Sequence, residues 1–110
     1  MSGKLSPSVL LKFSSENCGL CKRMAFHDQA IAAEFELEFK EVYPDSCSEQ
    51  ALTQLFNSFV AVDEIFGWPT YVLASRGEQG ELTPLAKYQG GLPKARFREV
   101  IAGLVEQTAI

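Results

Sequence analysis

Residues 14–24 read SSENCGLCKRM and place Cys18 and Cys21 three positions apart, directly before two basic residues. This spacing occurs in zinc sites, structural disulfides and redox-active thiol pairs. A closed zinc site needs four ligands, and the rest of the chain offers only Cys47 and His27. An odd number of cysteines, 3, is also too few for a disulfide scaffold. The pattern favours thiol–disulfide chemistry without a metal, with a zinc site or an iron–sulfur site shared across a dimer as alternatives.

The segments around this pair alternate between strand and helix patterns. SVLLKFS, residues 8–14, is a short apolar run typical of a buried strand. Over residues 18–35 apolar and small side chains cover most of a helix circumference, which predicts one helix lying on a sheet. LEFKEVY, residues 37–43, predicts a second strand.

The second half of the chain continues with a helix, a hairpin and a last helix. Ser46 and Glu49 form a capping-box pattern, and apolar residues follow at helical spacing, so a helix is predicted over residues 46–62. PTYVLAS, residues 69–75, and TPLAKYQ, residues 83–89, predict two strands joined by a glycine-containing turn.

The last helix begins near Pro93, because proline is common in the first turn of a helix. The resulting order is β-α-β-α-β-β-α. Its first two strands are parallel with a right-handed crossover, and the later hairpin is antiparallel. We therefore predict one α/β domain over residues 1–110, with a four-stranded mixed sheet flanked by helices.

With a CxxC between the first strand and the first helix, this order resembles the thioredoxin-like superfamily. IFGWPTYV, residues 65–72, is similar to the family segment in which Pro-Thr precedes a strand, and Gly90 and Gly91 resemble the family's glycine before the last helix. The resemblance covers residues 9–106. It implies a minimal thioredoxin-like fold in which Pro69 is a cis-proline lying against the CxxC.

The CxxC segment departs from the usual family string WCGPCK. Asn17 and Leu20 stand in place of Trp and Pro, and Phe26 stands where a proline often kinks the first helix. The run CKRM, with a Phe nearby, is closer to the broader thioredoxin-like branch that includes the C-terminal domain of the DsbD electron carrier. These differences concern the substrate and the redox potential rather than the fold.

The predicted helix start gives the two cysteines different roles. Cys18 lies at the helix N-terminus, where backbone N–H groups and the helix dipole stabilise a thiolate, and Lys22 adds positive charge. We predict that Cys18 attacks a target disulfide and that Cys21 resolves the mixed disulfide.

Four further residues are predicted to bind the substrate. The resemblance implies that Trp68 and Pro69 border the groove for an extended substrate strand, although Trp68 is equally suited to covering the core. Gly90 and Gly91 have no side chains to block that strand. Cys47, next to the predicted helix start at residue 46, is a candidate third thiol, with an incidental small residue as the alternative.

Lys12 interrupts an otherwise apolar strand, six residues before the first cysteine. Members of the resembled family usually have a buried Asp at this position and a Lys beside it on the partner strand. In this chain Lys12 stands at the Asp position and Glu41 at the Lys position, so the two charges are exchanged. Lys12 and Glu41 are therefore predicted to pair under the CxxC and to tune its cysteines. The alternative is that this face is open and both are surface charges, because the family's extra N-terminal elements are missing.

These observations predict a protein thiol–disulfide oxidoreductase in electron transport, most simply a disulfide reductase. Its redox-active disulfide, Cys18–Cys21, needs no further cofactor, and its partners are protein disulfides and an upstream thiol reductant. The alternatives are a glutaredoxin-like protein linked to glutathione, and a binding module of the same fold with little turnover.

Composition limits the other classes of function. The net charge of −4 disfavours a nucleic-acid surface, since phosphate binding needs clustered Lys and Arg. No apolar run approaches the roughly 20 residues that span a bilayer. The first residues, MSGKLSPSVLLKF, lack the pattern of a signal peptide, so a cytoplasmic location is the expectation, although a mature chain without its leader would look the same. A monomer is the default expectation.

Overall fold

A four-stranded mixed sheet forms the centre of the molecule. The computed structural model describes residues 6–62 and 67–109. The strands lie in the order β2-β1-β3-β4, with β1 parallel to β2 and antiparallel to β3, and β3 antiparallel to β4. This confirms the predicted mixed sheet. The strands are β1 (Val9–Phe13), β2 (Glu38–Val42), β3 (Thr70–Arg76) and β4 (Leu82–Gln89).

Helices cover both faces of this sheet. A short 3-10 helix, Pro44–Ser46, follows β2, and a π-helical segment, Phe56–Val60, continues the third helix. The order of elements is the predicted one, except that the first helix is divided in two. The α-helices are α1 (Gly19–Met24), α2 (Asp28–Glu34), α3 (Gln50–Leu55) and α4 (Lys94–Thr108).

Successive residues of β1 face opposite sides of the sheet, and all five are buried. Val9, Leu11 and Phe13 belong to a core cluster with residues of α3 and the π-helical segment. Leu10 belongs to a second cluster, which contains residues of α1, α2 and α4. By this alternation Lys12 faces the side of the sheet that α1, α2 and α4 cover.

The prediction of one continuous helix over residues 18–35 is wrong. The chain turns at residues 25–27, and α2 begins at Asp28 after His27, whose φ of −145° is not helical. The turn leaves Phe26 89% exposed, while Asp28 is only 1% exposed. The spacing of apolar residues did not predict this break. The first residue after it, Asp28, is a buried carboxylate that pairs with Lys12 on the sheet, and the spacing along one helix does not describe such a contact.

The predicted capping box at the start of the next helix is also wrong. Ser46 belongs to the 3-10 helix, and α3 begins only at Gln50, with Glu49 in the N-cap position. The Glu49 carboxylate lies 2.8 Å from Nζ of Lys40 on β2. Its side chain therefore binds the sheet instead of returning to Ser46.

The remaining elements agree with the predicted ones to within one or two residues, and β4 forms an edge of the sheet. Two stretches used in the sequence analysis lie partly outside the described residues. These are residues 1–5 of MSGKLSPSVLLKF and residues 65 and 66 of IFGWPTYV. None of the helices in the described part of the chain has both the length and the hydropathy that crossing a bilayer requires.

Replacing either of two glycines by alanine should change the free energy of unfolding, in opposite directions for the two sites. Gly90 has a φ of 111°, which L side chains rarely adopt, so Gly90→Ala should lower the free energy of unfolding by about 1–3 kcal/mol. Gly103 lies inside α4 with open space where a Cβ would stand, so Gly103→Ala should raise it by about 0.5–1 kcal/mol. Urea unfolding of both variants measures these values, and equal shifts of the same sign would contradict the prediction.

Candidate active site

Cys18 and Cys21 form a disulfide at the start of α1, with their Cα atoms 5.3 Å apart. Cys18 is the N-cap residue, and its Sγ accepts a hydrogen bond of 3.0 Å from the backbone N–H of Cys21. Cys18 is half-buried, whereas Cys21 is only 2% exposed. The two sulfurs are therefore inequivalent, and Cys18 is the more accessible of them.

The charge on α1 supports a thiolate at Cys18. The first turn of α1 contains no acidic residue, and Lys22 and Arg23 are both exposed in its last turn. A helix N-terminus without a carboxylate favours a negative charge on the sulfur. Lys22, predicted to tune the cysteines, lies on the surface directly after Cys21.

The proline and glycine segments meet beside the CxxC. The Trp68–Pro69 peptide bond is cis. The backbone N–H of Gly90 donates a 2.8 Å hydrogen bond to the carbonyl oxygen of Pro69. Gly91 lies against Leu20, since a Cβ added there would stand 2.6 Å from Leu20 Cδ1. The glycine pair thus connects the Pro69 segment to the CxxC without side chains of its own.

Trp68 is half-buried and packs on the core. Its ring stacks on that of Phe56, with centroids 5.8 Å apart and an interplanar angle of 7°. One face of the indole therefore covers the cluster beneath α3. A substrate contact by Trp68 stays a prediction.

Beneath α1, the ammonium of Lys12 is fully buried. Its Nζ lies 2.7 Å from Asp28 Oδ2 and 3.6 Å from Glu41 Oε2, and it donates a 2.7 Å hydrogen bond to the carbonyl oxygen of Cys21. The hydroxyl of Tyr71 donates a 2.9 Å hydrogen bond to the same Asp28 oxygen. We call Lys12, Asp28, Glu41 and Tyr71 the Lys12 cluster.

The strand register produces most of this cluster. Lys12 lies opposite Glu41 on β2 and opposite Tyr71 on β3, so the three form one row across the sheet. The Ser14 hydroxyl donates a 2.8 Å hydrogen bond to Glu41. The side chain of Glu41 is 31% exposed and that of Asp28 only 2%, so Glu41 connects the cluster to water.

The structure thus brings the predicted residues Lys12 and Glu41 together and adds a closer partner, Asp28, which sequence reasoning missed. Asp28 follows Cys21 by seven residues, or about two helical turns, and this spacing was an available signal. Tyr71 was missed because an aromatic residue in a buried strand predicts only core packing.

Tyr71 serves this cluster as a hydrogen-bond donor. Burial, and then the adjacent Asp28 carboxylate, raise the pKa of the Tyr71 phenol well above its ordinary value. The phenol therefore keeps its proton across the physiological pH range. Asp28 accepts from both the Lys12 ammonium and this hydroxyl, which satisfies its buried Oδ2.

Cys47 does not lie at a helix N-terminus, because α3 begins at Gln50. This corrects the reasoning that made it a candidate third thiol. Cys47 is partly buried against the core, and its Sγ lies 3.6 Å from the Glu49 carbonyl oxygen. Within residues 6–62 and 67–109, no three His, Cys, Asp or Glu side chains come together as a metal site.

Comparison with known proteins supports the fold but gives no close relative. No protein-family model matches the chain, and no curated protein matches it. Among solved structures it is similar to a thioredoxin of Fasciola hepatica, with 24% identity and a TM-score of 0.54, covering 93% of this chain and 82% of that chain.

Two further thioredoxin structures are similar. The germline-specific thioredoxin Deadhead of Drosophila melanogaster matches at 22% identity and a TM-score of 0.60, over 93% of this chain and 82% of that chain. Thioredoxin-2 of the malaria parasite, described as a component of its protein secretion machinery, matches at 14% identity and a TM-score of 0.57, over 94% of this chain and 87% of that chain. The chain therefore has the thioredoxin fold.

The Lys12 cluster predicts unequal couplings in double-mutant cycles. Lys12→Met should destabilise the oxidised protein by about 3–5 kcal/mol, because it leaves the Asp28 carboxylate buried without its cation. Adding Asp28→Leu should recover much of this loss, since no unpaired buried charge then remains. The Glu41→Gln cycle with Lys12→Met should show a coupling of at most about 1 kcal/mol, because Glu41 is farther away and partly exposed.

Urea unfolding of the oxidised single and double variants gives both couplings. A Glu41 coupling that equals or exceeds the Asp28 coupling would contradict the geometry.

Proposed function

We propose that this protein is a thiol–disulfide oxidoreductase that reduces protein disulfides through Cys18 and Cys21. The observation that carries this proposal is the inequivalence of the two sulfurs at the start of α1. Cys18 is accessible and accepts a backbone N–H, whereas Cys21 is buried. An attacking thiol needs access and a stabilised thiolate, and a resolving thiol needs only to reach the first sulfur.

The reaction proceeds in two exchanges. The Cys18 thiolate attacks one sulfur of the substrate disulfide, the substrate S–S bond breaks, and the departing thiolate takes up a proton. Cys21 then loses its proton and attacks Cys18 Sγ, which releases the second substrate thiol and leaves the Cys18–Cys21 disulfide. The substrate gains two electrons, and an upstream thiol reductant returns two electrons to the pair.

The segment around Pro69 would bind the substrate strand during the first exchange. Pro69 has no N–H of its own, and its carbonyl oxygen already accepts from Gly90. We propose that the backbone before Pro69 binds the extended substrate strand, with Trp68 at its border. Gly90 has open space where a side chain would stand, which leaves room for this strand, whereas the corresponding space at Gly91 is filled by Leu20.

The Lys12 cluster would handle the proton of the second exchange. Cys21 is buried and must release a proton as it attacks. Lys12 lies between the Cys21 carbonyl oxygen and Glu41, and Glu41 is the carboxylate of the cluster that reaches water. We therefore assign Glu41 as the proton acceptor, with Lys12 positioning the Cys21 backbone and favouring its thiolate.

Cysteine variants test the order of the two exchanges. Cys21→Ser should accumulate a mixed disulfide between Cys18 and a substrate such as insulin, because the resolving thiol is absent. Cys18→Ser should form no such adduct and should lose insulin reduction with dithiothreitol as the donor. Mass spectrometry identifies the linked cysteine, and an adduct formed through Cys21 in the Cys18→Ser protein at the same rate would reverse the assignment.

The same insulin assay separates this proposal from its alternatives. Turnover of the unmodified chain with dithiothreitol distinguishes an oxidoreductase from a binding module, and replacing that donor by thioredoxin reductase or by glutathione distinguishes the two enzyme classes.

Glu41→Gln tests the proton acceptor. General acid–base catalysis typically contributes about 10²–10⁴-fold, so this variant should slow release of the second substrate thiol at least about 10-fold at neutral pH and change its pH profile. Glu49→Gln is the matched control, because Glu49 pairs with Lys40 on the exposed surface of β2. Single-turnover kinetics from pH 5 to 9 measure both, and an unchanged profile in Glu41→Gln would contradict the role.

A further inference from the structure

A cavity of about 310 Å³ lies beside the CxxC and is distinct from the Trp68–Pro69 segment. It is enclosed by α1, the turn that follows α1, and the residues before α4. Leu20, which lies between the two cysteines in sequence, forms part of its wall. The other wall residues without a polar side chain are Met24, Gly91, Leu92 and Pro93, and Gly91 also belongs to the glycine pair beside the CxxC. We call this space the α1–α4 cavity.

Two polar side chains interrupt this apolar wall. Arg23 is exposed, and within the described part of the chain its guanidinium has no acidic neighbour on α1. The Nε2 atom of His27 is buried and has no hydrogen-bond partner among the described residues. A buried ring nitrogen without a partner is uncommon in folded proteins and indicates a missing polar contact.

The wall of the cavity carries a positive charge, although the chain as a whole carries −4. Arg23 belongs to the wall, Lys22 and Lys94 are next to wall residues in sequence, and none of the wall residues is acidic. Arg96 and Arg98 do not add to this charge, because they pair with Glu99 and Glu34.

We propose that the α1–α4 cavity selects protein substrates by binding an apolar side chain next to a carboxylate, close to the cysteine under attack. The apolar side chain fills the cavity against Leu20 and Leu92, and the carboxylate binds Arg23. A polar backbone group of the same segment supplies the contact that His27 Nε2 lacks. This inference rests on the proposed function, because it names the class of disulfide that the enzyme prefers.

The size and charge of the site indicate a peptide segment with these two features. The cavity accommodates a leucine or phenylalanine side chain, and its positive surroundings attract an acidic residue and repel a basic one. The preferred substrate is therefore a disulfide flanked by a large apolar residue and by Asp or Glu.

Synthetic peptides with one cysteine, linked as a disulfide to 2-mercaptoethanol, test this preference. Three peptides carry Leu-Asp, Ala-Asp or Leu-Lys beside the cysteine, and kcat/KM is measured for each. We expect the Leu-Asp peptide to exceed each of the others by about 10-fold, the effect of one good apolar or charged contact.

Arg23→Glu should reverse the ratio of the Leu-Asp to the Leu-Lys peptide, and using a ratio cancels any change in the reactivity of Cys18. Arg76→Glu is the matched control, because it makes the same change of charge at the far end of β3, where Arg76 is exposed and pairs with Glu38. This control should keep the ratio of the unmodified protein.

Hydroxyethyl disulfide separates the two ways in which the test can fail. If the protein reduces hydroxyethyl disulfide but treats the three peptides alike, only this inference is overturned. If it reduces neither hydroxyethyl disulfide nor any peptide, the proposed function is overturned together with this inference. If S-methylglutathione, which has no free thiol, abolishes the Leu-Asp preference at millimolar concentration, the cavity binds a small carboxylate ligand and the peptide assignment is overturned.

Discussion

The buried ammonium of Lys12 constrains the arrangement of the sheet, α1 and α2. A lone charge in this position would cost several kcal/mol, so neighbouring elements must supply partners. Asp28 provides the closest carboxylate, Glu41 provides a second, and the Cys21 carbonyl oxygen accepts a hydrogen bond. Because Cys21 belongs to α1 and Asp28 is the first residue of α2, Lys12 contacts the helices on both sides of the turn at residues 25–27.

The same contacts link the redox pair to the sheet. The Lys12–Cys21 hydrogen bond holds the first turn of α1 against β1, and the Cys21 N–H in the same turn donates a hydrogen bond to Cys18 Sγ. The cluster contains one ammonium and two carboxylates, so it carries one formal negative charge in excess. Asp28 is enclosed by Lys12 and Tyr71, whereas the side chain of Glu41 is partly exposed, and this difference is the basis of the proposed role of Glu41.

The sequence allowed the strands, the helices and their order to be predicted, but it did not reveal most of the contacts between elements. The resemblance to the thioredoxin-like family aligned Glu41 with the residue beside Lys12, and the strand register confirms that the two residues lie opposite each other. Asp28 was missed because its partner lies on a different layer, and periodicity describes one helix at a time. The capping box at Ser46 was also wrong, and Glu49 instead binds Lys40 on the sheet. An ion pair with another element accompanies each error, but only the Lys12–Asp28 pair is buried, and the exposed Glu49–Lys40 pair is too weak by itself to set the start of α3.

The two sides of α1 therefore have different surroundings: the inner side contacts the Lys12 cluster, and the outer side faces the α1–α4 cavity. Its inner side is fixed by Lys12, through the backbone of Cys21, and this contact does not depend on the identity of the exposed side chains. Its outer side carries Leu20 and Arg23 at the rim of the α1–α4 cavity. A substitution at Arg23 changes an exposed charge, while a substitution at Lys12 breaks a buried ion pair. The proposed substrate preference therefore depends on the exposed outer side, while the geometry of the two cysteines is constrained by the Lys12 cluster.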